Sequence, residues 1–243
     1  MMRSRLKQTL RLLTPLKQGK LGERQVIQNA LPPDLLLLRA WQTDRLSRSY
    51  ADLLADPRYQ PATEFFRHGI YAPQDFSQRD QDLQQIYDAL EGVMPNLVRE
   101  TLDNVNELNR LTAVLDQNLI DTLINQLGVT DTITVPLYAQ AYRLCDNQAE
   151  RSHQIDLIMK VGDGVNRLAH IPFINFSLRL ARGFTRWSTW SEVQTFFEDG
   201  LSAFRHMGNN AETFLQIIEA RERDSLEQLF AGTDDPFNFD EEE

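Results

Sequence analysis

The sequence predicts an all-α protein: a single multi-helix bundle of about eight or nine helices with flexible charged termini. Apolar residues recur at steps of three and four along most of the chain, as at Leu108, Leu111 and Leu115. The one stretch that resembles a strand, DTITV at 131–135, is too short to form a sheet. No long loop interrupts residues 34–230, so one compact bundle is the simplest arrangement.

Capping and breaking residues divide this pattern into helices. Asp34 is predicted to cap the first helix, which Pro57 ends. Gly128 follows the longest apolar stripe and suits the position after a helix end. The other helices are expected at 62–70, 78–90, 96–127, from Asp131 or Thr134 past Tyr142, and then at 148–169, 173–181, 193–207 and from about Phe214 to 231.

Charge is unevenly distributed along the chain, whose formal net charge is −10. Residues 1–24 carry seven Lys or Arg and one Glu, a net +6, and are predicted to form a basic flexible arm. Residues 25–231 are expected to form the helical bundle domain. Residues 232–243 contain six acidic side chains and are predicted to be a disordered tail. Both ends are expected to contribute little to stability because they lack a long apolar face.

Composition excludes several classes of protein. An acidic body repels phosphate, so no specific nucleic-acid partner is expected. No run approaches 18 apolar residues, so no transmembrane segment is predicted. The arm 1–24 has leucines on one side, but stable membrane binding needs a second signal, so no peripheral membrane contact is expected. A single cysteine, Cys145, excludes an internal disulfide. Without a signal-peptide pattern, a cytoplasmic location is expected.

Neither metal chemistry nor covalent catalysis has a complete set of residues. Glu150 and His153 form one Glu-x-x-His, whereas ferritin-like di-iron bundles use two such motifs and two further glutamates. We therefore predict no metal and no cofactor, with Glu150 and His153 the candidate ligands should a metal bind. The chain has no G-x-S-x-G and no glycine-rich loop after a strand. No catalytic residue is predicted.

Polar side chains interrupt the apolar helix faces and form the main candidate site. Arg45 lies beside Trp41 and Leu46, so we expect it to be partly buried and paired with Asp116 or an acid of 75–80. An unpaired buried guanidinium is costly. A structural network is favoured over a ligand pocket, since structural ion pairs are common. The candidates for either role are Arg39, Gln42, Arg45, Tyr50, Tyr71, Asp75, Arg79, Asp80, Arg151 and Gln154.

Several fragments together carry a family resemblance. They are RAWQTDRL (39–46), YADLLADPRY (50–59), Phe65-Phe66 with Tyr71, DFSQRD (75–80), AYR (141–143), RSHQIDLIMKVG (151–162), GLSAFRHMG (200–208) and RE (221–222). Over about residues 35–230 the chain resembles an uncharacterised bacterial family named for an FFLEELY motif. The chain departs from that signature, since His68 and Gly69 replace the acidic pair. The resemblance implies a helical bacterial protein and brings no activity with it.

Two functions are compatible with these observations. The absence of a catalytic set, together with oppositely charged ends, favours a non-enzymatic protein-interaction or adaptor module. Its partner would be another protein or a second copy of the chain. The alternative is a helical bundle that binds a small molecule or a metal. If that bundle is an enzyme, a ferritin-like di-metal enzyme is the nearest type.

Overall fold

The computed structural model describes residues 31–67, 95–171 and 190–239, without the side chains of 190–194. Across these ranges the chain is helical and contains no strand, so the all-α prediction is confirmed. The helices are α1 Pro33–Ser49, α2 Ala51–Ala55, α3 Gln60–Phe65, α4 Asn96–Asp121, α5 Val135–Cys145, α6 Gln148–Ala169, α7 Trp190–Met207 and α8 Ala211–Ala231. None of these helices is long and apolar enough to cross a membrane. The expected helices at 78–90 and 173–181, and the basic arm, lie outside the described residues.

The beginning of α1 corrects one prediction about capping. Pro32 occupies the N-cap position and Pro33 the first helical position, and no side chain caps the helix. Proline suits this site because the first helical N–H has no intrahelical partner. Asp34 therefore lies in the first turn, where its charge favours the positive end of the helix dipole.

The helix expected to run from Asp34 to Pro57 is interrupted at Tyr50. Tyr50 has φ −122° and ψ 24°, so α1 ends at Ser49 and α2 begins at Ala51. The ring of Tyr50 is 3% exposed and packs in the core. The break changes the direction of the chain at the point where Tyr50 meets the C-terminal helix.

The long helix α4 forms as its leucine pattern predicts and carries a buried stripe. Leu115, Leu119 and Leu123 are almost fully buried. The last turn widens into a π-helix, Thr122–Gln126, and the chain then turns at Gly128, whose φ is +69°. The hydroxyl of Thr134 accepts a hydrogen bond from the Leu137 amide, 3.5 Å away, so α5 begins after Thr134.

The buried apolar residues form two clusters that share α1 and α8. The first cluster includes Leu38, Leu119, Tyr138 and Leu226. The second includes Tyr50, Leu53, Phe204 and Phe214. Arg45 in α1 and Glu222 in α8 lie, in sequence order, between the members of the two clusters. A polar pair thus separates two apolar regions along both helices.

Residues 232–239 differ from the predicted disordered tail. Helix α8 ends at Gly232, and the chain then places Phe237, 5% exposed, in the first cluster. Its ring centroid lies 5.9 Å from that of Trp41 and 6.1 Å from that of Tyr138. The prediction of disorder was based on the acidic side chains and overlooked three apolar residues, Pro236, Phe237 and Phe239. Their burial offsets the conformational entropy that residues 232–239 lose on ordering.

Candidate functional site

An ion pair between α1 and α8 is the first part of the site. The guanidinium of Arg45 donates two hydrogen bonds to Glu222, at 2.5 Å and 3.2 Å. The hydroxyl of Tyr50 donates a third to the same carboxylate, at 2.6 Å. The Arg45 and Glu222 side chains are only 11% and 19% exposed. Charge-assisted, two-pronged pairs of this kind are among the stronger protein hydrogen bonds.

Burial and pairing act in opposite directions on the pKa of both groups. Burial alone would raise the pKa of Glu222, but the charge and hydrogen bonds of Arg45 and the bond from Tyr50 lower it below its usual value. Burial likewise opposes the charged form of Arg45, and Glu222 more than offsets this, so the pKa of Arg45 is raised. Both groups are therefore charged at neutral pH.

A second buried arginine lies on α6. Arg151 donates to the side-chain oxygen of Gln154 and to the backbone carbonyl of Leu115, each at 3.1 Å. Its guanidinium lies 4.6 Å from the centroid of the Tyr142 ring. Gln154 in turn donates to the hydroxyl of Thr112 at 2.7 Å. Arg151 is thus held by neutral groups from α4, α5 and α6.

Asp116 is a buried acid on the α4 side of the same region. Its nearest hydrogen-bond donor is the side chain of Gln42, at 3.4 Å. Burial raises the pKa of Asp116, and the charge of Arg151, the bond from Gln42 and the charge of Arg39 oppose that rise only in part. Asp116 therefore releases its proton at a higher pH than an exposed aspartate.

Two tyrosines and a tryptophan complete the aromatic side of the site. The hydroxyl of Tyr138 donates to that of Tyr142 at 3.1 Å. Trp41 stacks on Tyr138 with a centroid distance of 3.9 Å. Burial, together with the neighbouring Tyr142, raises the pKa of Tyr138 well above its usual value. The Tyr138 hydroxyl therefore remains protonated and acts as a hydrogen-bond donor.

These groups surround a small, partly open pocket. Its volume is about 40 Å³, which leaves room for roughly three water molecules. The lining is polar on one side and apolar on the other: Arg45, Tyr138, Tyr142, Arg151, Gln154, Ile155, Glu222, Ser225, Leu226, Leu229 and Phe237. The Nε atoms of Arg45 and Arg151 are buried and have no hydrogen-bond partner.

The structure brings together the predicted site residues that it describes. Gln42 contacts Asp116, Arg45 and Tyr50 share Glu222, and Arg151 bonds Gln154. Arg39 acts on Asp116 through its charge. Arg45 pairs with Glu222, an acid that the prediction did not name, and not with Asp116; the other expected partner, the 75–80 segment, lies outside the described residues. Four predicted site residues lie outside the described residues: Tyr71, Asp75, Arg79 and Asp80.

The two candidate metal ligands, Glu150 and His153, are not among the residues that line the pocket. The Nε2 atom of His153 lies 2.9 Å from the carboxylate of Glu107, and both side chains are nearly half exposed. Glu150 is exposed on the first turn of α6. Among residues 31–67, 95–171 and 190–239, no group of three His, Cys, Asp or Glu side chains could hold a metal ion.

Sequence reasoning missed Glu222, Tyr138 and Phe237 as site residues. One signal was available: the fragments that carry the family resemblance include Gln42, Arg45, Tyr142, Arg151 and Gln154, and the last fragment is Arg221-Glu222. That fragment made Glu222 one of several candidate acids for the arginines, without singling it out.

Comparison with known proteins places the chain in a family. No curated protein and no solved structure matches it. A family model described as a domain of unknown function, DUF8198, matches residues 23–236. The matched region contains all the helices α1–α8 and every residue that lines the pocket except Phe237. The chain belongs to the DUF8198 family.

Proposed function

We propose that the protein binds a small molecule in the pocket between Arg45, Arg151 and Tyr142. The observation that carries the proposal is the pair of buried guanidinium N–H groups, on Arg45 and Arg151, that lack an acceptor. Leaving a buried donor unsatisfied costs roughly 1–3 kcal/mol. A ligand or ordered water that accepts from these groups would recover that energy.

The make-up of the lining supports the same function. Ligand pockets commonly combine an apolar wall with a few convergent polar groups. Here Ile155, Leu226 and Leu229 supply the apolar wall, and the two arginines and two tyrosines supply the polar groups. These groups come from α1, α5, α6 and α8, so the bundle as a whole fixes their positions.

The adaptor function has less support from the described surface. The large apolar residues exposed there are Val114, Leu144 and Ile171. A few exposed apolar side chains are normal for a globular protein and do not define an interface. The basic arm, one of the two oppositely charged ends that motivated that function, lies outside the described residues.

A pocket-filling substitution tests the proposal. A panel of small carboxylates, phosphate, amides, amines and sugars would be screened by thermal shift. Trp41 fluorescence gives a second readout in a background of Trp187→Phe and Trp190→Phe, because Trp41 stacks on the pocket residue Tyr138. A ligand of this pocket should lose its effect in Ser225→Leu, since Ser225 is part of the lining.

Thr213→Leu is the matched control, because Thr213 is exposed on the same helix. A true pocket ligand should bind Thr213→Leu as it binds the unsubstituted protein. The proposal fails if no compound of the panel shifts either readout. It also fails if every active compound binds Ser225→Leu with unchanged affinity.

A further inference from the structure

The charge of Arg151 is the feature that narrows the class of ligand. Arg151 is 5% exposed, and its two hydrogen bonds go to neutral acceptors, on Gln154 and Leu115. No carboxylate of the described residues lies within ion-pair distance of its guanidinium. Asp116 attracts it from farther away and is hydrogen-bonded to Gln42 instead.

Arg45, the other arginine of the pocket, differs in this respect. It forms a close ion pair with Glu222, so the two charges largely cancel. The pocket therefore contains one buried positive charge without a directly paired acid. Buried charges in proteins are normally paired, because an isolated ion loses its hydration on burial. The missing partner is a single negative charge.

Unpaired hydrogen-bond donors on residues that line the pocket agree with this charge balance. The Nε atom of Arg151 has no acceptor, and neither has that of Arg45. The hydroxyl of Tyr138 donates its proton to the hydroxyl oxygen of Tyr142. The hydroxyl proton of Tyr142 has no acceptor in the described part of the chain. Several donors and one unpaired cation favour an acceptor-rich anion over a neutral or cationic ligand.

We infer that the ligand of this pocket is a small carboxylate monoanion that pairs with Arg151. This inference rests on the proposed function and specifies its ligand. A carboxylate offers two coplanar oxygens to a guanidinium, and one negative charge balances one unpaired arginine. A volume of about 40 Å³ suits a carboxylate with a short alkyl group, which would face Ile155 and Leu226. Phosphate carries no alkyl group that could face this apolar wall, and near neutral pH a large share of it is a dianion.

The test compares two ligands of nearly equal shape on the full-length, unsubstituted protein. Acetate and acetamide differ in charge, and sodium chloride at equal ionic strength controls for salt effects. Acetate should raise the melting temperature of the unsubstituted protein in a concentration-dependent way and should change Trp41 fluorescence in the Trp187→Phe, Trp190→Phe background, whereas acetamide should do neither. Phosphate, tested in parallel at the same ionic strength, should have a much smaller effect than acetate.

Variants then assign the effect to Arg151. Arg151→Gln should weaken acetate binding at least ~10-fold, the expected effect of losing a charged hydrogen-bonding partner. Arg151→Lys keeps the charge without the forked geometry and should give an intermediate affinity. Arg110→Gln removes an exposed charge from α4 and should leave the affinity unchanged. The comparison of acetate with acetamide remains informative even if Arg151→Gln does not fold.

The possible outcomes separate this inference from the proposed function. Equal binding of acetate and acetamide would overturn the assignment of an anion while leaving a small-molecule pocket in place. Stronger binding of phosphate than of acetate would overturn the assignment of a carboxylate. Failure of all three ligands would also reject the inference. In that case, the wider panel with Ser225→Leu decides separately whether the pocket binds anything.

Discussion

Arg45 and Glu222 are 177 residues apart in the chain, yet the guanidinium of one meets the carboxylate of the other at 2.5 Å. The contact joins the first described helix to the last. Arg221, the neighbour of Glu222, donates to both oxygens of Asp52 at 2.7 Å, so α8 is fixed to the α1–α2 corner at two adjacent points. Arg45 and Glu222 also line one side of the pocket.

Removing Arg45 should strongly destabilise the protein. In Arg45→Ala the carboxylate of Glu222 stays buried without its cation, and we expect a loss of about 3–5 kcal/mol in the free energy of unfolding. Urea melts measure it. The control is Arg167→Ala, which breaks an exposed pair with Asp163 and should cost less than ~1 kcal/mol.

Equal losses in the two variants would contradict a buried role for Arg45. Replacing both partners, as in Arg45→Met with Glu222→Leu, should recover most of the loss, because no charge is left unpaired. A double variant as unstable as Arg45→Ala would show that packing, not charge, causes the effect.

The sequence predicts the helices and half of the site for a clear physical reason. Gln42 and Arg45 interrupt an apolar helix face, and Arg151 and Gln154 do the same on α6, so the period of the pattern reveals them. The sequence pattern does not reveal Glu222, because five of the six residues of EARERD at 219–224 are charged. Within such a run, only the packing of α8 decides which side chain turns inward.

Phe237 should contribute to stability although it lies close to the chain end. Its ring is buried against Trp41 and Tyr138 and lies 5.3 Å from the guanidinium of Arg45. We expect Phe237→Ala to cost about 3 kcal/mol, the lower end of the range for a buried phenylalanine, because a terminal segment can relax. Thermal or urea unfolding measures it.

The matched control for this prediction is Asn238→Gly, next to Phe237, because Asn238 has φ +49°, where alanine would strain the backbone and glycine does not. The side chain of Asn238 makes one exposed hydrogen bond, to Asp224 at 3.2 Å. Its loss should cost less than ~1 kcal/mol. A Phe237→Ala protein as stable as the unsubstituted one would restore the expectation of a disordered tail.

A side chain at Gly164 should destabilise the protein. A methyl group there would overlap the side chain of Thr101 on α4, which is buried and tied to the Leu97 carbonyl at 2.7 Å. Thr101 is β-branched and cannot easily turn away. We expect Gly164→Ala to lose about 1–3 kcal/mol, although alanine favours a helix more than glycine does.

Gly162→Ala separates this effect from helix propensity. Gly162 lies two residues earlier in α6, and its added methyl group would meet the flexible end of Leu215. We expect Gly162→Ala to change stability by less than ~1 kcal/mol, since the leucine can shift while the helix gains propensity. If both variants are equally unstable, α6 needs both glycines, and the contact with Thr101 is not the cause.

The pKa of Asp116 predicts how the stability of an asparagine variant depends on pH. Because the native pKa is raised above 3.8, the native state binds more protons than the unfolded state just above that pH. The unsubstituted protein therefore loses stability as pH rises through the raised pKa. Asp116→Asn has no such loss and can still accept the bond from Gln42. Its stability relative to the unsubstituted protein should improve between about pH 4 and pH 7.

Urea melts at several pH values would measure this difference. Glu222 changes stability in the opposite sense, since its lowered pKa makes stability fall as pH drops below 4.5. That effect is common to both proteins and cancels in the difference. Asp121→Asn, an exposed change on the same helix, is the matched control. If Asp116→Asn instead becomes relatively less stable towards pH 7, the attraction of Arg151 outweighs the cost of burial. Asp116 would then be the counter-charge of Arg151, and the argument for an anionic ligand would lose its main support.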